Sequence, residues 1–239
     1  MVCSMDNKNA VQSVPDQIRE IKQSFRQMMD GAVAQSMRQK GVDYHLNWGI
    51  TLPRLRQLAD DIIRDNTPQT SNLKPQTSNL QPPTSNLYAL AIALWKENVR
   101  ECKILATMLM PPEQMLPEVT DIWMEQTDTI EIAEQAAMNL YQHLPFAAEK
   151  AYQWIASPQE IYQLCGFHVL SRLFMQGREP NERGINEFID QALVAIQGPT
   201  LSVRKAANNS LQHFASLGLV YERLANSALR TATIQRLAI

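Results

Sequence analysis

The chain has 239 residues, 45% of them hydrophobic, and a formal net charge of −2, enough apolar material for one sizeable domain or two small ones. Eight glycines against abundant alanine and leucine favour helices over strands. No run of about 18 uncharged apolar residues is present to span a membrane. The first residues, MVCSMDNKNAVQSV, lack the apolar core of a secretory signal. Cys3, Cys102 and Cys165 are odd in number, far apart and without CxxC spacing, which fits a reducing compartment and neither a disulfide framework nor a zinc site. The expected location is the cytoplasm.

Taken in chain order, residues 1–13 read as a flexible N-terminus, and the segments from 14 onward read as helices. DQIREIKQSFRQMM, after Pro15, sets Ile18, Ile21, Phe25 and Met28 on one apolar face. Asp30-Gly31 breaks that helix, and AVAQSMRQK runs to Gly41, a natural residue just past a helix end. LPRLRQLADDII opens with Pro53 in its first turn and turns Leu55, Leu58 and Ile62 inward.

Residues 68–87, PQTSNLKPQTSNLQPPTSNL, then carry the hexamer PQTSNL twice and a third copy with Pro83 in place of Gln, at a seven-residue period. Each copy has one apolar residue and at least one proline, so it cannot form a coiled-coil seam. The repeat reads as a low-complexity insertion over 66–86, mobile or extended, and losing two copies should leave the fold intact.

Beyond it come LYALAIALWKE, VRECKILATMLM, PPEQMLPEVTDIWMEQ, TIEIAEQAAMNLYQHL and PFAAEKAYQWIA. Ser157-Pro158-Gln159-Glu160 has the pattern of a capping box that opens IYQLCGFHVLSRLFMQ. That segment stops at Gly177, and NEFIDQALVAIQ, SVRKAANNSLQHFASL and a last helix from about Val220 follow. About a dozen helices with short turns and no alternating strand predict an all-α fold. Antiparallel helix pairs stacked as an α-solenoid suit those lengths better than a generic bundle.

Charge is unevenly spread. Glu113, Glu118, Asp121, Glu125, Asp128, Glu131 and Glu134 form a block with no Lys or Arg. Beyond Pro199, Arg204, Lys205, Arg223, Arg230 and Arg236 face one acid, Glu222. A phosphate backbone is attracted by the second segment and repelled by the first.

The usual catalytic patterns are absent. His45, His143, His168 and His213 lie far from one another, and only His168 has a nearby Cys, Cys165. One such pair is a poor metal site, so no metal is expected and the histidines read as packing residues. There is no G-x-S-x-G elbow, no Cys with an identifiable base and no glycine-rich phosphate loop, so no cofactor is expected. Trp48, Trp95, Trp123 and Trp154 lie on apolar stripes or before a helix, as core residues do.

Four stretches resemble the bacterial DNA alkylation repair family, glycosylases built of HEAT-like helical repeats. NWGITLPRLRQLADDI is similar to its GV-x-P-x-[LI]-R-x-LA element, and LYALAIALWKENVRECKILATMLM to its LALELW…E-x-[RK]-LLA helix pair. NLYQHLPFAAEKAYQWIASPQEIYQLCGF resembles its segment from TPFA-x-EKA to A-GF, and LSVRKAANNSLQHFASLG its RKA-I-GW helix. They lie in order from Asn47 to Gly218. The resemblance implies one HEAT-like repeat domain over 14–239 and an activity that removes positively charged alkylated purines. It also implies a concave basic face with a carboxylate that stabilises the oxocarbenium-like sugar.

Residue by residue, the resemblance implies a site largely replaced. The family's W-D-x-x-D-Q stretch falls on Ile130-Glu131-Ile132-Ala133-Glu134-Gln135, so Ile130 replaces a Trp and Glu134 the catalytic Asp. The family's Arg pair falls on Gln163 and Leu164, and the Trp of its GW step on Asn209. Glu134 is the candidate catalytic residue, or else one more solvated carboxylate beside Glu131. Lys205, Arg204 and Arg100 are the candidate DNA-contacting residues. Arg204 and Lys205, being adjacent, diverge around a helix, so at most one points at a ligand. Arg54 and Arg56 read as structural, with Asp60 and Asp61 as carboxylate neighbours.

Two functions remain open. One is a relative that excises weakly or not at all and binds duplex DNA or a protein partner on its concave face. The other is an active alkylpurine glycosylase using Glu134.

Overall fold

A computed structural model describes residues 13–42, 44–66 and 84–237. These residues form helices joined by short turns, with no strand among them. The chain separates into two units, Met1–Pro111 and Pro112–Ile239, whereas the sequence alone marks no boundary at Pro111. No helix among the described residues is long and apolar enough to cross a membrane.

The first unit holds α1 (Val14–Met28), α2 (Gly31–Gln39), α3 (Leu52–Asn66), α4 (Thr84–Lys96) and α5 (Arg100–Leu109). The Ser13 hydroxyl accepts from the Asp16 N–H at the start of α1. Asp30 caps α2 by accepting from the N–H groups of Ala32 and Val33 at 3.0 and 3.1 Å, satisfying two of the four donors a helix start leaves open. α1 buries Ile21 and Phe25, and α3 buries Leu55 and Ala59, with Leu58 and Ile62 half-buried. α4 packs on α1 and α5, and α5 also on α3. Trp95 is buried where α4 ends.

The loop from Leu46 to Ile50 is held by a buried ion pair. The Arg100 guanidinium donates to the Ile50 carbonyl at 2.9 Å and lies 3.0 Å from the Glu101 carboxylate. That carboxylate also accepts the Trp48 and Ile50 N–H groups at 3.2 Å each. Gly49 adopts φ 72°, and a Cβ there would sit 2.0 Å from the Asp30 carbonyl oxygen, so a side chain fails both on backbone conformation and on space. Arg54 reaches the Met28 carbonyl at 3.3 Å, and Asp61 pairs with Arg64 at 3.2 Å. The contact that Arg54 makes is therefore with a carbonyl of α1 and not with a carboxylate neighbour.

Of the repeat, the first two copies and the start of the third lie outside the described residues. The end of the third copy does not match the extended chain expected to Asn86, because Thr84-Ser85-Asn86-Leu87 is the first turn of α4. There the Asn86 amide donates to the Asn66 side-chain oxygen at 2.7 Å, tying the start of α4 to the end of α3.

The second unit holds α6 (Pro117–Glu125), α7 (Ile130–Asn139), α8 (Ala147–Ile155), α9 (Glu160–Met175), α10 (Glu182–Gln197), α11 (Leu201–Ala215) and α12 (Leu219–Leu237). α9 is its centre, packed against α7, α8 and α11, and α10 lies on α11, α12 and α8. Gly166 allows the α8–α9 contact, because a Cβ there would come within 2.8 Å of the Ala151 carbonyl oxygen and the Ile155 side chain. Phe167, Phe174, Phe188 and Phe214 form the core between α9, α10 and α11, with ring centroids 5.0–6.5 Å apart.

The capping box expected at Ser157 does not form. α9 starts at Glu160 with Gln159 as cap, and the Ser157 hydroxyl accepts from the Gln159 N–H inside the preceding turn. The Glu160 carboxylate instead accepts from the Thr200 hydroxyl just before α11. The sequence pattern lies two residues early, and Glu160 links two helices in place of capping its own.

Candidate nucleic-acid interface

α7, α9 and α11 lie side by side, with α9 in the middle. α7 turns Ile132, Ala133, Ala136 and Ala137 inward, and these small residues let α9 approach closely. Glu134 is thereby left on the outer side, half-exposed. On α9 the run Phe167, Val169, Leu170 faces the core and leaves His168 at the surface. On α11, Val203, Ala206, Ala207 and Leu211 are buried, and Lys205 and Asn209, four apart, point outward together.

The three helices enclose a cleft of about 500 Å³ lined by Glu134, His168, Ser202, Lys205 and Asn209, with Leu201 and Ala206 as its apolar part. His168 Nε2 is 3.6 Å from Glu134 Oε1, beyond hydrogen-bond length but within ion-pair range when the imidazole is protonated. Lys205 has no ion-pair or hydrogen-bond partner among the described residues. Asn209 is fixed from behind, its amide donating to Ser171 Oγ at 3.1 Å. Ser171 Oγ lies 2.7 Å from His213 Nδ1.

Two of the site residues named from sequence, Glu134 and Lys205, thus meet in one cleft. Arg204 is exposed but does not line it, since the neighbouring position on a helix points about 100° away. Arg100 needs correction: it is 4% exposed in the first unit, committed to the Ile50 carbonyl and Glu101. A buried guanidinium in that pair has no surface to offer a phosphate.

Gln163 donates to the Ser157 carbonyl at 2.8 Å, and Leu164 belongs to the core, so neither supplies a cation. Ile130 stands 46% exposed at the head of α7. No Trp, Tyr or Phe lines the cleft, whose one ring is the His168 imidazole. Trp123 and Trp154 are buried in the core of the second unit.

His168 is the residue that sequence reasoning missed. Its partner lies 34 positions away on another helix, a separation that no local spacing reveals. Only its place directly after Gly166-Phe167 marks it in the sequence. Within the acidic block, Asp121 accepts both of its contacts from Lys150 at 2.7 Å, and Glu113, Glu118, Glu125 and Asp128 are exposed. No group of three or more His, Cys, Asp or Glu able to hold a metal occurs among the described residues. Burial pushes the Cys102 thiol up to about 12 and the Cys165 thiol higher still, which makes both poor nucleophiles.

An all-helical chain of this kind has the fold of HEAT-like repeat proteins. A solved structure described as "A new family of proteins related to the HEAT-like repeat DNA glycosylases with affinity for branched DNA structures" superimposes with a TM-score of 0.68. It is 15% identical, and the match covers 90% of this chain and 82% of the other. The sequence model of the DNA alkylation repair enzyme family matches residues 21–217, and the chain belongs to that family. No curated protein matches the sequence.

Proposed function

We propose that this protein binds DNA through the α7, α9 and α11 face of its second unit and does not release alkylated bases. The make-up of the cleft carries this reading: it holds a free amine, Lys205, beside Glu134, and no Trp, Tyr or Phe lines it. A released purine leaves an oxocarbenium-like sugar that must be held against an anion placed to a fraction of an ångström. Glu134 carries the charge about 1.5 Å further out than an Asp would, and misplacement on that scale costs about 100-fold. With Ile130 and Asn209 at the positions matched to the family's tryptophans, no aromatic ring braces the sugar.

Binding itself asks less. It needs cations that displace counterions from phosphates, and Lys205, with Arg204 one step around α11, supplies them. The structural neighbour's described affinity for branched DNA makes junctions, as well as linear duplexes, the forms to compare.

The position of Glu134 in the cleft favours one other reading, an alkylpurine glycosylase with a Glu as its anion. Incubation with DNA carrying cationic methylpurines separates the two. We expect bound DNA and no base release above the uncatalysed background. Release that Glu134→Gln abolishes would establish the glycosylase. If no DNA form binds at low salt, a basic protein or peptide drawn to the exposed carboxylates Glu113, Glu118, Glu125 and Asp128 takes the place of DNA.

A further inference from the structure

Resting on the DNA-binding reading, we propose that the cleft takes the open-chain deoxyribose of an abasic site, with Lys205 as the nucleophile that attacks its aldehyde. Three unlike groups converge there: the Lys205 amine, the Glu134 carboxylate and the His168 imidazole, the last two 3.6 Å apart. No Trp, Tyr or Phe lines the cleft to stack on an intact base. A cleft of about 500 Å³ still has room for a sugar that has lost its base. That sugar is in equilibrium with an aldehyde, the one form of the backbone that an amine attacks covalently, and an unpaired lysine amine is the group suited to it.

The Lys205 ammonium gives a proton to water and its nitrogen adds to the C1′ aldehyde carbon; the carbinolamine hydroxyl then takes a proton from water and leaves as water, giving a protonated imine. The Glu134 carboxylate takes a proton from C2′, the released electron pair forms the C2′–C3′ double bond, and the C3′–O bond breaks to expel the phosphate. Water then hydrolyses the imine and returns the amine, leaving an unsaturated aldehyde on one strand end and a 5′-phosphate on the other. No oxidant or reductant is needed. The reaction that supplies this substrate is hydrolysis of an N-glycosidic bond. The one that consumes the product is phosphodiester hydrolysis of the sugar fragment.

The test uses the full chain and a labelled duplex with one abasic site, treated with borohydride to reduce any imine to a stable cross-link. A cross-linked band of the summed mass is expected. Lys205→Arg keeps the charge but cannot form the imine, and Lys205→Ala removes both, so each should lower cross-linking by at least about tenfold. The exposed Lys40→Ala should leave it unchanged. Glu134→Gln should preserve the cross-link and lower strand scission by at least about tenfold.

A wild-type protein that binds abasic DNA without cross-linking overturns the proposal and leaves DNA binding standing. Cross-linking by Lys205→Arg equal to wild type overturns it too. Absence of binding to any DNA in the same samples overturns both.

Discussion

Glu134 and Lys205 are separated by 71 positions in the chain and share one cleft because their helices both pack on α9. The sequence makes each residue a candidate singly, but their meeting follows from burial. Ile132, Ala133 and Ala136 fix which side of α7 is outward, and Ala206 and Ala207 do the same for α11. Arg100 shows where residue-level reading from sequence fails. A positive charge at a helix start looks available for a phosphate until its neighbour Glu101 is found with no exposure at all. That carboxylate accepts two N–H groups and the guanidinium, so removing it takes a buried acceptor from all three. Glu101→Ala is expected to destabilise the first unit by about 3–5 kcal/mol, read as a lower midpoint in urea unfolding. A loss under about 1 kcal/mol would mean that water replaces the carboxylate readily.

Among the elements, helix existence was legible and helix boundaries less so. Apolar spacing located α1 and α3 because one face of each is buried, and Gly41 and Gly177, at φ 78° and 74°, stop helices where a left-handed residue is required. α9 was set too early because Ser157 and Glu160 satisfy a local pattern. Thr200 competed for the Glu160 carboxylate, and that tertiary bond is invisible in a local window. The third hexamer copy misled in the opposite sense. TSNL looks like loop, yet Asn66 and the apolar run behind it draw it into the first turn of α4. The side-chain tie between Asn66 and Asn86 brings the ends of the connector close together, so its length matters little. Deleting residues 68–81 should shift stability by no more than about 2 kcal/mol, since it takes the connector between α3 and α4 through about two and a half halvings at about 0.6 kcal/mol of closure entropy each. Thermal unfolding checks this, and collapse of the folded state would show that the copies carry packing.

For the molecule as a whole, the helical class and the family were legible because core positions and turn residues keep their pattern when site residues change. Function was less legible, because the surroundings of Ile130, Glu134, Leu164 and Asn209 depend on geometry that only the fold supplies. A net charge of −2 gives no general attraction to nucleic acid, so the proposed DNA binding relies on local cations such as Lys205 and Arg204. The most direct test is the affinity for linear and branched duplexes as salt is raised, for wild type and Lys205→Glu. DNA binding through the cleft predicts a steep decline of log affinity with log salt, and a slope shallower by about one for the variant. No binding at low salt, or a Lys205→Glu slope equal to wild type, would contradict it.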